Sequence, residues 1–88
     1  MELQTRLDTL IRLAEELGLT IRREPLGGKG GGLCVLRGRR ILFDDTSADL
    51  ETRYEAMLTA LAPLPELETR FVIPEIREEL HRARAPRG

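Results

Sequence analysis

Apolar residues recur every three or four positions in two stretches of the chain. In residues 2–17 they are leucine, isoleucine and alanine, and Gly18 follows at the position of a helix C-cap. In residues 47–62 they are leucine, methionine and tyrosine, and a proline follows. Both stretches are predicted to be amphipathic helices, the second with Thr46 and Asp49 as a capping box.

Shorter apolar runs predict three strands. Residues 19–24 alternate between apolar and polar side chains, and a proline ends the run. Two further runs, 33–37 and 40–44, flank Gly38 and Arg39, a pattern typical of a β-hairpin with a two-residue turn. The chain between the first strand and the hairpin is rich in glycine.

The position of the turn sets the pairing within the hairpin. With Gly38 and Arg39 in the turn, Leu36 pairs with Ile41 and Cys34 pairs with Phe43, so that one face is wholly apolar. A turn placed one residue earlier pairs apolar residues with arginines and mixes charge into both faces. We therefore expect the first register, with its apolar face against the core.

The C-terminal third is predicted to contain one extended segment and one short helix. Residues 70–73 are expected to be extended, because Pro74 disfavours helix in the residue before it. The proline then suits the first turn of a helix over residues 75–82. We expect residues 1–83 to form a single small domain and residues 84–88 to be a frayed tail.

Together these elements predict an α+β fold with two layers. The sheet is expected to be a three-stranded, mainly antiparallel meander, with the two longer helices on one face and the short C-terminal helix last. A chain of 88 residues is small. It buries only roughly 60–65% of its unfolded surface, so its core is limited.

Composition narrows the class of protein. The formal net charge is −1, so no overall field favours nucleic acid or a membrane surface. The one cysteine, Cys34, excludes an internal disulfide and fits a reducing compartment. The first residues resemble neither a signal peptide nor a membrane span. We expect a cytoplasmic protein without a membrane partner.

The run of residues 27–32, Gly-Gly-Lys-Gly-Gly-Gly, raises the question of phosphate binding. A phosphate-binding loop of the P-loop type needs serine or threonine after its lysine and a helix after the glycines. Here Gly30 follows Lys29, and a strand is predicted next. We expect a mobile loop, with anion contact through Lys29 and Arg39 as the alternative.

No catalytic or metal-binding constellation is apparent. Cys34 is expected to be a buried core residue. His81, the only histidine, follows Glu78 at the Glu-x-x-His spacing, but further ligands are lacking. Asp44 and Asp45 are adjacent and should point to opposite faces of a strand, which excludes a paired acid and base. We predict no catalytic residues, no metal site and no cofactor, hence no enzyme.

Basic residues cluster in the hairpin region. Residues 22–40 hold six basic side chains and one acidic one, so the rest of the chain has a net charge of −6. This cluster could contact nucleic-acid phosphates, but it lacks interleaved aromatic residues for stacking. We instead expect charged edge positions that prevent strand-to-strand aggregation, with nucleic-acid contact as an alternative.

Residues 31–45 and the segment "FVIPEIREEL" carry a family resemblance. They resemble a set of small uncharacterised bacterial proteins with a Gly-Gly-x-Cys-x-hydrophobic-[Arg/Lys]-Gly hairpin, then a helix, then a hydrophobic-proline segment before a short helix. The resemblance implies a bacterial protein and no particular activity. The order of elements also has a remote likeness to minimal zincin metallopeptidases, but the helix "RYEAMLTALAPL" lacks their HExxH motif, so peptidase chemistry is not implied.

The apolar surface left over predicts a protein interface. We expect a non-catalytic interaction or oligomerisation module, with the homodimer as the predicted assembly. A small ligand-binding protein or enzyme that uses the glycine-rich loop is the alternative. The candidate interface residues lie on the second face of the hairpin and in the extended segment: Leu33, Val35, Leu42, Phe71, Val72 and Ile73.

Overall fold

The computed structural model describes residues 1–84, which form three α-helices and a three-stranded sheet. The elements are α1 (Leu3–Glu16), β1 (Thr20–Glu24), β2 (Gly31–Leu36), β3 (Arg39–Asp45), α2 (Leu50–Leu61), a 3₁₀ helix (Pro65–Thr69) and α3 (Pro74–Arg84). The α+β class and the three α-helices are confirmed, with helix ends within three residues of those predicted. The predicted frayed tail lies outside the described residues except for Arg84, which ends α3.

The sheet is mixed, and the predicted antiparallel meander is wrong. The strand order is β1-β3-β2, so β3 is central and the other two strands are edges. Strand β2 is antiparallel to β3, whereas β1 is parallel to it. The chain leaves β1, forms the far edge as β2 and then returns between them as β3. A residue pattern along one strand does not carry this information.

The hairpin register is the alternative that sequence analysis rejected. The turn is at Arg37 and Gly38, which have φ values of 53° and 78°, and Leu36 pairs with Arg39. Positive φ at both central residues is the mark of a type I′ turn, whose twist suits a hairpin and whose second position favours glycine. Turn chemistry therefore prevails over the segregation of charge, because the hairpin tip is exposed on both faces.

The observed register differs from the predicted one by two positions, so each face of the hairpin keeps the same residues, but the face predicted to pack on the core is the one that lies away from the helices. Ile21, Leu33 and Leu42 face the helices, and Leu42 is fully buried. Cys34 and Leu36, which were expected in the core, lie on the opposite face and are exposed. We call that opposite face the outer face; it also carries Ile41 and Phe43, the predicted partners of Leu36 and Cys34.

The core is formed between the three helices and the inner face of the sheet. Helix α2 contacts both other helices and strands β2 and β3. Leucines dominate, as the composition requires. The largest fully buried apolar side chains are Leu7, Leu10, Leu42, Met57, Leu61 and Ile76.

Helix α2 begins with a cap different from the one predicted. Asp49 is itself the N-cap, and its carboxylate accepts the backbone N–H of Thr52 at 2.8 Å. The predicted capping box placed Thr46 in that position. Thr46 instead lies in the turn after β3, where its backbone N–H donates to the carbonyl of Glu24 at 3.1 Å. This bond ties the end of β3 to the end of β1.

Candidate functional site

The glycine loop, residues 25–30, closes around one of the protein's own carboxylates. The backbone N–H groups of Leu26, Gly28 and Gly30 donate to the Asp45 carboxylate at 2.8, 2.6 and 3.2 Å. Ser47 adds its backbone N–H at 3.0 Å and its hydroxyl at 2.5 Å. The loop is thus an anion cradle, as glycine-rich backbone often is, and its anion is internal.

Asp45 is a fully buried charge with complete hydrogen bonding. Its side chain is inaccessible to solvent. The hydroxyl of Ser47, followed by the N–H groups of Leu26 and Gly30, holds the pKa of the Asp45 carboxyl well below its usual range, against the opposing effect of burial. The loop expected to be mobile is therefore held at its middle by a carboxylate that is ionised at neutral pH.

This arrangement leaves little for an external anion. A phosphate would have to displace Asp45 from the N–H groups that hold it. The two residues predicted as anion contacts are not brought together either. Lys29 lies beside the start of β2, whereas Arg39 begins β3 at the other end of the hairpin. With β2 six residues long, the two ends are separated by roughly 20 Å.

Asp44 is a second buried carboxylate, and it faces the helices. Arg53 of α2 donates to its two oxygens at 2.8 and 2.7 Å, and Arg23 approaches at 3.4 Å. The prediction that Asp44 and Asp45 point to opposite faces is confirmed. Each carboxylate has its own set of donors, so the pair has no arrangement for shared acid and base chemistry.

A third polar cluster joins the start of α1 to α2 and α3. The phenol of Tyr54 donates to Glu79 at 2.5 Å, and Arg6 donates to the same oxygen of Glu79. Burial and the bond to Glu79 raise the pKa of the Tyr54 phenol, so this group stays protonated. Sequence analysis missed the cluster, since its three members share no motif and meet only through helix packing.

The other residues considered for chemistry are dispersed. Cys34 is exposed on the outer face, contrary to the expected burial, and His81 is exposed on α3. Across residues 1–84, no three histidine, cysteine, aspartate or glutamate side chains converge as metal ligands would. In the described part of the chain, the buried charged side chains hydrogen-bond to their neighbours and stabilise the fold, and no nucleophile lies beside a base.

The edge of β2 that faces away from β3 presents backbone groups that no other strand of residues 1–84 binds. The N–H of Asp45 donates to the carbonyl of Gly30 at 3.1 Å, which makes these two a hydrogen-bonded pair. In an antiparallel ladder such pairs alternate, so the backbone groups of Gly31, Leu33 and Val35 point away from β3. We call these three residues the β2 edge.

A shallow groove runs along the β2 edge on the side of the helices. Its lining includes Leu33, Glu51 and Glu55. Helix α2 covers only one end of the strand, where an added Cβ on Gly30 would lie 2.8 Å from the carbonyl oxygen of Thr52. The other end of β2 stands clear of the helices.

Two contacts show how the helix leaves the strand. The guanidinium of Arg40 contacts Glu66, just after α2, at 2.5 Å, and donates to the carbonyl of Leu17 at 3.2 Å. The chain after α2 therefore lies over β3 and α1. Val35 of β2, which is paired with Arg40 of β3, is left 64% exposed.

The predicted interface residues fall into three groups by burial. Leu42 and Val72 belong to the protomer's own core, and Leu33 and Ile73 are half-buried against it. Val35 and Phe71 are well exposed, at 64% and 78%. Leu42 and Val72 are therefore inaccessible to a partner in this conformation. Of the six predicted interface residues, Val35 and Phe71 are the ones whose side chains a partner could reach.

Comparison of the chain with family models, with curated proteins and with solved structures finds no match. The resemblance to the Gly-Gly-x-Cys hairpin proteins and the remote likeness to zincins remain predictions. In residues 1–84 no helix has both the length and the apolar character needed to cross a membrane.

Proposed function

We propose that the protein is a non-catalytic oligomerisation module, and that two copies form a homodimer by pairing their β2 edges. The single observation that supports this is the state of that edge. Its sequence, GGLCVL, contains no charge and no proline, and Val35 and Leu36 are 64% and 55% exposed. A long apolar edge of this kind is a template for strand addition.

The opposite edge of the sheet, strand β1, is protected against the addition of a further strand. Strand β1 reads TIRRE and is followed by Pro25. Arginine, glutamate and proline at an edge are the usual means of preventing strand addition. The contrast supports a specific role for β2, because the same chain protects one edge and leaves the other open.

A second copy suits this edge better than an unrelated strand. Two identical edges related by a twofold axis are antiparallel, and each then supplies the donors and acceptors that the other needs. The pairing also brings exposed Val35 into a shared apolar surface. A small domain gains stability from such burial, since its own core is limited.

The test compares two exposed apolar residues in different places. Val35→Glu adds a charge at the β2 edge, and Phe71→Glu adds the same charge on the extended segment before α3. We expect sedimentation equilibrium to give twice the chain mass for the unmodified protein and for Phe71→Glu. We expect the mass of one chain for Val35→Glu, with an unchanged circular dichroism spectrum because Val35 is exposed in the protomer.

Two results would overturn the proposal. One is a monomer over the whole concentration series for the unmodified protein. The other is dissociation by Phe71→Glu but not by Val35→Glu, which would move the interface from the β2 edge to the extended segment.

A further inference from the structure

We infer that the twofold axis of this dimer passes beside Leu33, so that Leu33 pairs with Leu33 of the partner subunit and Val35 pairs with Gly31 of the partner subunit. The inference rests on the proposed dimer and specifies its register. It predicts a continuous six-stranded sheet in which each β2 lies against the other. Three features of β2 lead to this register.

The first feature is the number of backbone groups satisfied. Only Gly31, Leu33 and Val35 have N–H and C=O groups directed away from β3. With the axis at Leu33, all three residues pair. Moving the axis by one residue toward Cys34 would place Gly31 opposite Arg37, which lies in the turn and cannot extend the ladder. Moving the axis one residue toward Gly32 would place Val35 opposite Lys29, which precedes β2, and so would leave Val35 unpaired.

The second feature is the space above the strand. Helix α2 lies close over the glycine end of β2 and is absent over Val35 within residues 1–84, as the 64% exposure of Val35 shows. In the inferred register the glycine end of one subunit adjoins the Val35 end of the other. Each α2 would then cover the part of the partner's β2 that its own helix leaves open.

The third feature is side-chain size. Residues directly opposite in adjacent strands point to the same face of the sheet. In the inferred register, the exposed side chain of Val35 lies opposite Gly31, which has no side chain. The pair therefore places one side chain, and not two, beneath α2 of the partner subunit.

The native cysteine makes the register measurable. In the inferred dimer the two Leu33 residues form a hydrogen-bonded pair, with Cα atoms about 5.5 Å apart. The two Cys34 residues are offset by two positions, which places their Cα atoms roughly 8 Å apart. A disulfide needs a Cα separation below about 7 Å, so only a cysteine at position 33 can form one without distortion.

The experiment is a cysteine scan with diamide as oxidant. Its variants are Cys34→Ala with Leu33→Cys, Cys34→Ala with Val35→Cys, and the unmodified protein. We expect a covalent dimer for the first alone. A covalent dimer through native Cys34 would overturn the inferred register in favour of an axis at that residue, while the proposed dimer would stand. A monomer in sedimentation would remove the proposed function itself.

Leu33 is half-buried, so its replacement could disturb folding. A second measurement on the unmodified protein avoids that problem. In a mixture of isotope-labelled and unlabelled chains, the inferred register places the Hα of Gly32 next to the Hα of Cys34 in the partner subunit, because these two form a non-hydrogen-bonded pair. An intersubunit NOE between them is expected. Its absence in a dimer that sedimentation detects would overturn the register.

Discussion

The Asp45 carboxylate accepts the backbone N–H of Gly28 at 2.6 Å, across 17 residues of chain. This contact explains the glycine-rich loop: the loop must turn its N–H groups inward, and Gly27, Gly28 and Gly30 all have positive φ. The glycines, which suggested a flexible loop in the sequence, are needed for the backbone conformation that directs these N–H groups at Asp45.

Replacing Asp45 with asparagine should open the glycine loop. The amide offers one acceptor oxygen in place of two and directs an NH₂ group at the backbone donors. We expect faster hydrogen exchange at Leu26, Gly28 and Gly30 and a lower urea midpoint. Asp8→Asn, on the exposed face of α1, is the matched control and should change neither. Unchanged exchange at the three amides would contradict the observed cradle.

The stabilising effect of Asp45 should depend on pH below neutrality. The hydrogen bonds of the carboxylate lower its pKa in the folded chain below the ordinary value of 3.8. Its contribution is therefore fully present above the unfolded pKa and is lost as the pH falls through the folded one. We expect the difference in unfolding free energy between the unmodified protein and Asp45→Asn to be constant from pH 7 to 5 and to shrink below about pH 4. A constant difference down to pH 2 would count against this account.

Breaking the buried pair of Asp44 and Arg53 should be strongly destabilising. Arg53→Met leaves a fully buried carboxylate with Arg23 as its remaining cation at 3.4 Å, and removing one partner of such a pair typically costs about 3–5 kcal/mol. Urea unfolding measures this loss in the free energy of unfolding. Arg12→Met should change stability by less than about 0.5 kcal/mol. Addition of Asp44→Leu to Arg53→Met should recover part of the loss, because the orphaned charge is removed.

The thiol of Cys34 should react rapidly with Ellman's reagent in the folded protein. It is exposed on the outer face of the sheet. Cys34→Ala should change the free energy of unfolding by about 0.5 kcal/mol or less, because little packing is lost. Slow labelling in buffer that becomes fast in denaturant would favour packing of the Cys34 face against the core.

Two glycines should respond very differently to alanine. At Gly31 an added Cβ would lie 1.9 Å from the carbonyl oxygen of Phe43, whereas at Gly27 no atom lies within 4 Å. Both have φ above +100°, so both substitutions strain the backbone. Gly27→Ala should cost about 1–2 kcal/mol, and Gly31→Ala should lower the melting temperature much further. Equal shifts would argue against the close packing of β2 on β3.

The sequence predicts the helices well because their signals are local. Leucines at helical spacing lie within one element, and the structure confirms the helix; its C-cap is Leu17, and Gly18, predicted as the cap, follows directly with a φ of 88°. The position of β3 between β1 and β2 depends on contacts far apart in sequence, such as Thr20 with Ile41. The hairpin register depended on the turn: segregation of charge pointed to Gly38-Arg39, whereas the structure follows the preference of type I′ turns for glycine at the second position.

The cradle around Asp45 was within reach of sequence analysis only in part. An aspartate at the end of an apolar strand and a glycine run beforehand are both visible in the sequence. Their meeting requires the parallel pairing of β1 with β3, which brings Glu24 opposite Asp45. The β2 edge was hidden for a related reason, because it becomes an edge only when β3 takes the central place.

The cradle also has a consequence for the order in which the molecule assembles. The three loop residues that donate to Asp45 precede it by 15 to 19 positions, so they emerge from the ribosome before their acceptor does. Until Asp45 arrives, the loop has no internal anion to organise it. Ordering of the loop must therefore accompany or follow the entry of β3 between its neighbours, and the amide of Gly28 can serve as a reporter that the sheet has closed.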